Sequence, residues 1–394
     1  MKNKNPFLKT ILKLMLTSVL AASMLLTSCN KPQNNNDDTY QSSTSASDEN
    51  TAGNESHSSN NVLTENQTEN ITEPKPDKLS GMGAQSVITL KSLPIQVVVQ
   101  QFAFATIGNK KYVFAAQRIG ADCYLSQCVV SEDGKTANRE KHTVLRGYGH
   151  AESMDVSVNG ENTYIYIASG ANPLNDYAWA TQITRLKYDN GEPVESGTIT
   201  GLECATPDGT PIAEGYTPYR INFALDSEAD LLAVYLRADN RNTGKSIKHC
   251  ISVYKLSYIE KMLDRDGSVS LADCAEAFVA TTGEADISDI LYNQTFQGME
   301  ISSDGTICIS SGTETLAPSL SFFSTENGTI KRNIVKKINW RSSEHFGIDD
   351  YTKMTKYSEL ESIKYYDGKW YISFNPTGSR IMNKTEIFEI TELS

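Results

Sequence analysis

From residue 86 onward, short runs of alternating apolar and polar residues dominate the chain. Such alternation is typical of β-strands that bury one face. The runs are separated by dipeptides in which asparagine or aspartate precedes glycine, the pair that two-residue hairpin turns favour. Eight of these dipeptides occur, at 133–134, 159–160, 190–191, 208–209, 266–267, 304–305, 327–328 and 367–368. The pattern predicts an all-β chain of consecutive hairpins in which only Tyr258 to Phe278 has a partly helical character.

A polar residue leads the first strand of each hairpin at a nearly constant distance, six or seven residues, before the turn. A third strand follows most copies, and the copies are spaced by 51 to 77 residues. Repeats of this length, each a small antiparallel sheet, predict a five-bladed β-propeller over residues 81–394. The polar residues at the repeated place are Gln101, Glu152, Arg220, Gln297 and Glu361.

The ring of blades needs a closing strand, because the last copy has only three strands before residue 394. The alternating run from Ser86 to Leu90 has no hairpin partner, so we expect it to complete the last blade. Polar residues that lead the first strand of every blade would then meet at the mouth of the central channel, with His150 and Asn222 beside them. Two packed β-sandwiches are the alternative, but they do not explain the recurrence of the polar position.

The N-terminus has a different pattern. Basic residues precede an uncharged run, Leu14 to Leu26, which is too short to span a membrane and predicts a signal peptide over residues 1–28. Leu26-Thr27-Ser28-Cys29 resembles the lipobox of bacterial lipoproteins, which implies lipid attachment to Cys29. Residues 29–80 are almost entirely polar and predict a disordered tether. We therefore expect a protein anchored by lipid to the extracytoplasmic face of the cell membrane.

Composition narrows the possible partners. The formal net charge is −12 and no basic stripe is present, which argues against a nucleic-acid partner. Membrane contact is expected only through the lipid. Apart from Cys29 there are six cysteines without C-x-x-C spacing, so we predict neither a zinc site nor a particular disulfide pairing. No motif indicates a cofactor or metal, and calcium in the channel has no loop signature in its favour.

Two short motifs carry a resemblance to a known family. Gly149-His150-Ala151-Glu152 and Trp179-Ala180-Thr181-Gln182-Ile183 are similar to segments of the helveticin J family of large class III bacteriocins. The resemblance implies a propeller-like secreted protein that acts on other bacteria at their surfaces. This sequence departs from the family in its lipobox and tether, and in Ala151, where the family pattern has glycine.

Three functions are compatible with these residues. The first is binding of a cell-surface glycan or polymer, or of another bacterial surface, with antibacterial activity implied by the resemblance. The second is a glycoside hydrolase that uses Glu152 and Glu361 as paired carboxylates, with Glu300 near the equivalent place in a third blade. The third is a scaffold whose channel is closed by paired side chains. The predicted ligand-binding residues are Gln101, His150, Glu152, Trp179, Arg220, Asn222, Gln297 and Glu361.

The tryptophans fall into two groups by position. Trp179 and Trp340 lie between predicted strands, where an aromatic ring can stack on a sugar or a partner. The segment from Trp340 to Tyr357 combines aromatic and charged residues and is a second candidate binding loop. Trp370 lies inside a predicted strand and is expected in the core.

Overall fold

The computed structural model describes residues 84–173, 177–189, 191–202, 215–240, 247–292, 295–313, 316, 318–337, 359–375 and 385–391. The predicted signal peptide and tether, with Cys29, lie outside the described residues, as does the candidate loop from Trp340 to Tyr357. Strands make up most of the described chain.

The described strands pair as five consecutive four-stranded antiparallel units. We call the first strand of each unit its lead strand. The first unit comprises β2 (Val99–Ile107), β3 (Lys110–Ile119), β4 (Asp122–Val130) and β5 (Thr136–Leu145), and the second comprises β6 (Met154–Asn159), β7 (Asn162–Ala171), β8 (Ala180–Asp189) and β9 (Glu192–Thr200). The third comprises β10 (Tyr216–Asp226), β11 (Leu231–Asn240), β12 (Ile247–Lys255) and β14 (Phe278–Thr281). The fourth comprises β15 (Gly298–Ile301), β16 (Ile307–Ser311), β17 (Ser319–Glu326) and β18 (Thr329–Lys337), and the fifth comprises β19 (Glu359–Tyr366), β20 (Lys369–Asn375), β21 (Thr385–Ile390) and β1 (Ala84–Lys91).

The N-terminal strand completes the last unit, as the sequence predicts. β1 pairs antiparallel with β21, with Leu90 opposite Thr385, and its other edge meets β5 of the first unit in parallel. The lead strands also contact one another in cyclic order, from β2 through β6, β10, β15 and β19 and back to β2. The first and last parts of the described chain are thereby joined by strand pairing.

One insertion interrupts the third unit. Helix α1 (Leu256–Asp266) buries Leu256, Ile259 and Leu263 against the second and third units and ends at Gly267, whose φ of 70° is the left-handed cap that glycine favours. The helical pattern predicted as far as Phe278 therefore stops earlier. A three-residue strand, two 3-10 turns and a short helix follow: β13 (Ser268–Ser270), Leu271–Asp273, Ala275–Ala277 and α2 (Ile287–Ile290). In the part of the chain that the structure describes, no helix has the length and apolar character of a membrane span.

Packing between neighbouring units forms the core. Each of five clusters of buried apolar side chains joins two consecutive units, and one of them joins the fifth unit to the first. In that cluster Leu90 and Ile387 from the fifth unit pack with Phe102 and Val113 from the first. Sheets that pack face to face around a closed cycle are propeller-like, and this arrangement favours the predicted fold over two separate sandwiches.

Candidate functional site

Irregular starts of the lead strands position the polar residues that the sequence singles out. Gln101, Arg220 and Glu361 lie on β2, β10 and β19, each at or directly after a β-bulge. Glu152 and Gln297 lie just before β6 and β15. A β-bulge redirects the side chains beside it, and it is a frequent device at functional sites. The repeated polar position of the sequence is therefore a repeated place in the structure.

Glu152 is held by the third unit. Its Oε2 lies 2.7 Å from Nε of Arg220, and its main-chain carbonyl accepts a hydrogen bond of 3.3 Å from Nδ2 of Asn222. Glu152, Arg220 and Asn222 are all largely shielded from solvent. Burial raises the pKa of Glu152 to about 7, although the adjacent Arg220 acts to lower it. This ion pair joins two neighbouring units at the ends of their lead strands.

Stacked rings extend the site toward solvent. The ring centre of Trp179 lies 4.3 Å from that of His150 at an interplanar angle of 18°, and 5.3 Å from that of Tyr177 at 17°. The guanidinium carbon of Arg220 lies 3.9 Å from the centre of the Trp179 ring, a cation–π contact. Tyr177 is 46% exposed and is the most exposed of the three stacked residues, since His150 and Trp179 are only partly exposed.

Arg118 joins the stack from the end of β3. Its Nη1 donates to Nδ1 of His150 and to the main-chain oxygen of Tyr177. Nδ1 of His150 lies next to two groups of opposite character, the guanidinium of Arg118, which can only donate, and the main-chain oxygen of Tyr177 at 3.1 Å, which can only accept. Nε2 of His150 lies 3.8 Å from Oε1 of Glu152. Burial, reinforced by Arg118 and Arg220, holds the pKa of His150 well below its usual range. His150 is therefore a neutral ring between two guanidinium groups.

Tight backbone geometry places His150 against Trp179. Gly149 has φ of 83°, and a Cβ atom there would lie 2.3 Å from the main-chain oxygen of Ala178. That oxygen accepts a 2.9 Å hydrogen bond from the amide of His150. Ala151 has φ of 54°, a left-handed conformation that glycine adopts at lower cost. The structure thus explains the glycine before the histidine, and it places Ala151 in a backbone conformation that favours glycine.

The remaining predicted residues lie elsewhere around the lead strands. The amide nitrogen of Gln297 donates to Oε1 of Glu359 at 2.6 Å and to the carbonyl of Gly312 at 2.9 Å. Gln101 is 1% exposed, and neither of its side-chain amide atoms has a hydrogen-bond partner among the described residues. Glu361 is buried at its bulge. The structure therefore brings Glu152, His150, Trp179, Arg220 and Asn222 into one set of contacting residues, whereas Gln297 pairs with Glu359.

A buried ionic triad lies three residues further along three of the lead strands. Nζ of Lys364 is 2.7 Å from Oε2 of Glu300 and 3.1 Å from Oδ2 of Asp155, and all three side chains are nearly inaccessible. Burial opposes the charged form of Lys364, but Asp155 and Glu300 outweigh it and raise its pKa. Burial, with the nearby Asp155, raises the pKa of Glu300 well above its usual range. Sequence reasoning placed only Glu300 near the site, although the triad repeats the spacing of the polar position.

Side chains of the types that bind metal ions are dispersed over the part of the chain that the structure describes. The described residues include no group of three or more histidine, cysteine or acidic side chains that could hold a metal ion. The cysteines that the structure describes are buried and form no disulfide with one another: Cys123, Cys128, Cys250, Cys274 and Cys308. Trp370 is 8% exposed and packs edge-on against Phe322, so its predicted place in the core is confirmed.

Comparison with known families agrees with the two motifs. The profile of the family described as bacteriocin helveticin-J matches residues 78–375. This chain belongs to the helveticin J family. The matched range covers the described strands as far as the end of β20. No curated protein matches the sequence.

Solved structures resemble this chain only distantly. An exo-β-1,3-galactanase from Phanerochaete chrysosporium has a TM-score of 0.45 and 11% identity over 80% of this chain, which spans 65% of the galactanase. A GDP-Man-dependent mannosyltransferase from Leishmania mexicana has a TM-score of 0.37 and 10% identity, with 78% of this chain and 88% of the transferase covered. A GH43_1 enzyme from Xanthomonas citri complexed with xylose has a TM-score of 0.40 and 11% identity, with coverages of 78% and 90%. At these values the similarities do not identify an activity.

Proposed function

We propose that this helveticin J-like protein is a lipid-anchored, five-bladed propeller that binds a cell-surface polymer through the aromatic–arginine cluster. We define the aromatic–arginine cluster as Arg118, His150, Glu152, Tyr177, Trp179 and Arg220. Five cyclically packed units support the five-bladed reading. Antibacterial action at another cell's surface is part of the proposal and follows from family membership.

The exposed ring of Tyr177 carries the binding proposal. It lies parallel to Trp179, which is itself backed by His150 and by the guanidinium of Arg220. A planar aromatic surface that is rigidly supported and open to solvent suits the apolar face of a sugar ring, and polar groups beside it can bond to the hydroxyls. The cluster combines both features in one place.

A wall-binding assay tests the proposal. The full chain, purified in mild detergent, is incubated with purified bacterial cell walls and sedimented. Loss of one stacking platform is worth about 1 kcal/mol, so Tyr177→Ala should weaken retention by roughly fivefold to tenfold. Ile334→Ala is the matched control, because Ile334 is 49% exposed on β18 of another unit. Equal retention of wild type and Tyr177→Ala would remove the support for this site.

The lipid anchor has its own test. Cells that express the wild type and are fed radioactive palmitate should label the protein, whereas the Cys29→Ala variant should remain unlabelled. Labelling of both proteins to the same extent would refute attachment at Cys29 and, with it, the proposed location at the membrane surface.

The hydrolase alternative draws on one observation, the raised pKa of Glu152, which is a property of general acids. In this alternative Glu152 acts with Glu361. The same wall preparations should then release reducing sugar ends with wild type, and Glu361→Gln should abolish the release. Retention without release would favour binding over hydrolysis.

The scaffold alternative draws on the buried ionic triad, which places paired charges among the lead strands.

A further inference from the structure

Charge in the aromatic–arginine cluster is unbalanced. Arg118 and Arg220 contribute two positive charges, Glu152 contributes at most one negative charge because burial raises its pKa to about 7, and His150 is neutral. Glu152 is paired with Arg220 at 2.7 Å. Among the described residues, no carboxylate lies within ion-pair distance of Arg118, and the carboxylate that acts on it from further away is that same Glu152. The cluster therefore has an excess positive charge on Arg118, within a chain of formal charge −12.

The excess charge is costly where it lies. Arg118 is half-buried, and burial lowers its pKa because the site disfavours the charged form. A guanidinium has five N–H donors in a rigid fork, a shape that matches the oxygens of a carboxylate or phosphate. In Arg118 the described contacts engage only Nη1. An anion at the open side of the fork would supply both the missing charge and the missing acceptors.

The same guanidinium bonds to the main chain of the residue that carries the exposed aromatic ring. Arg118 donates to the main-chain oxygen of Tyr177, the residue whose ring is the open platform. A sugar that stacks on Tyr177 therefore comes within reach of Arg118. The rest of the chain is acidic and would repel an anion. At physiological ionic strength, however, charges more than about 8 Å away are largely screened. The attraction between Arg118 and a nearby anion then outweighs the repulsion by the rest of the chain.

We infer that the aromatic–arginine cluster recognises an anionic saccharide, with the sugar ring on Tyr177 and its carboxylate or phosphate on Arg118. This inference rests on the proposed function and specifies the chemical class of its ligand. A neutral glycan would use the platform but would leave the Arg118 charge uncompensated.

Chemically modified cell walls test the inference. Purified Gram-positive walls are used intact, after removal of phosphate polymers with cold hydrofluoric acid, and after amidation of their carboxyl groups. The full chain is compared with Arg118→Gln, with Tyr177→Ala, and with Arg146→Gln as a control. Arg146 is a matched control because it lies exposed in the loop after β5 with its charge already paired to Asp122.

Wild type should lose at least tenfold in affinity on one of the two treated walls, since a charge-assisted contact is worth about 1.5 to 3 kcal/mol. Loss after hydrofluoric acid identifies phosphate, and loss after amidation identifies carboxylate. The affinity of Arg118→Gln for intact walls should equal the affinity of wild type for the treated walls that it binds weakly. The same treatment should not lower the affinity of Arg118→Gln any further. Arg146→Gln should behave as wild type. Matching thermal unfolding midpoints of the variants ensure that binding, rather than folding, is compared.

Two other results would overturn the inference in distinguishable ways. If wild type and Arg118→Gln bind all three walls equally while Tyr177→Ala binds weakly, the polymer is neutral and the proposed binding function still holds. If wild type binds none of the walls, the binding function itself fails and the inference fails with it.

Discussion

Removal of the ammonium group of Lys364 is expected to destabilise the fold more than loss of any surface charge. In Lys364→Met a flexible apolar side chain of similar length replaces the lysine. The carboxyl groups of Asp155 and Glu300, 3.1 Å and 2.7 Å from Nζ in the wild type, then share a dry site without a counter-charge. Lead strands of three units, β6, β15 and β19, contribute these residues.

The magnitude follows from the distances. For ionised carboxylates and an effective dielectric constant of about 20, they correspond to attractions of about 6 and 5 kcal/mol. Desolvation of the ammonium costs several kcal/mol and offsets much of this gain, so removal of one member of such a group costs about 3 to 5 kcal/mol in practice. For a domain of this size the melting temperature should fall by about 2 °C per kcal/mol, or roughly 6 to 10 °C.

Urea unfolding of the purified full chain measures the effect, with Lys369→Met as the control. Lys369 pairs with Glu389 at 2.9 Å, but its side chain is 54% exposed, and such surface pairs contribute about 0 to 1 kcal/mol. A deficit below about 1 kcal/mol in Lys364→Met would refute the reasoning.

The deficit should also depend on pH. Without Lys364, the carboxyl group of Glu300 loses the charge that favours its ionised form, so the folded state holds a proton that the unfolded state has released. A carboxyl whose pKa is raised on folding contributes less stability as pH rises above its unfolded value. The Lys364→Met deficit should therefore be larger at about pH 8 than at about pH 5. A deficit that is the same at both would contradict the ionic explanation.

Three further predictions concern buried groups. Gly298→Ala should lower the unfolding free energy by about 1 to 3 kcal/mol, because its Cβ would lie 3.1 Å from Nε2 of Gln101. Adding Gln101→Ala to this variant should recover part of the loss. If the effects of the two substitutions on unfolding free energy simply add, the contact is contradicted. Burial, aided by Arg237, lowers the pKa of His249 to about 4. Below about pH 6.5 the unfolded chain therefore binds a proton at His249 that the folded protein does not bind. Between about pH 7.5 and pH 5, the unfolding free energy of wild type, measured by urea titration, should fall by about 2 kcal/mol more than that of His249→Gln. The five described cysteines, all buried, should resist a maleimide in the folded protein and react after unfolding, and rapid labelling of the folded chain would contradict their burial.

Local pattern was informative about the candidate site only in part. The fixed spacing between a polar residue and its turn identified Glu152 and Arg220, because each of these residues lies at the start of a lead strand. It did not identify Arg118, since that residue ends an ordinary alternating strand and becomes part of the site only when the second unit packs beside the first. The same spacing, extended by three residues, marks Asp155 and Lys364, but a buried ion pair cannot be distinguished from solvent-facing charges by periodicity alone.

The sequence by itself determined most of the strands and the order of the repeated units, because alternation and turn residues act over a few residues, but Asp266-Gly267 proved to be the end of a helix rather than a hairpin turn. It also predicted that the strand at Ser86 completes the last unit, and the pairing of β1 with β21 confirms this. Only the tertiary structure decided that Glu152 meets Arg220 while Gln297 meets Glu359, and that Arg118 reaches the stacked rings. These contacts join residues far apart in the chain, and they depend on how neighbouring sheets pack rather than on any local preference.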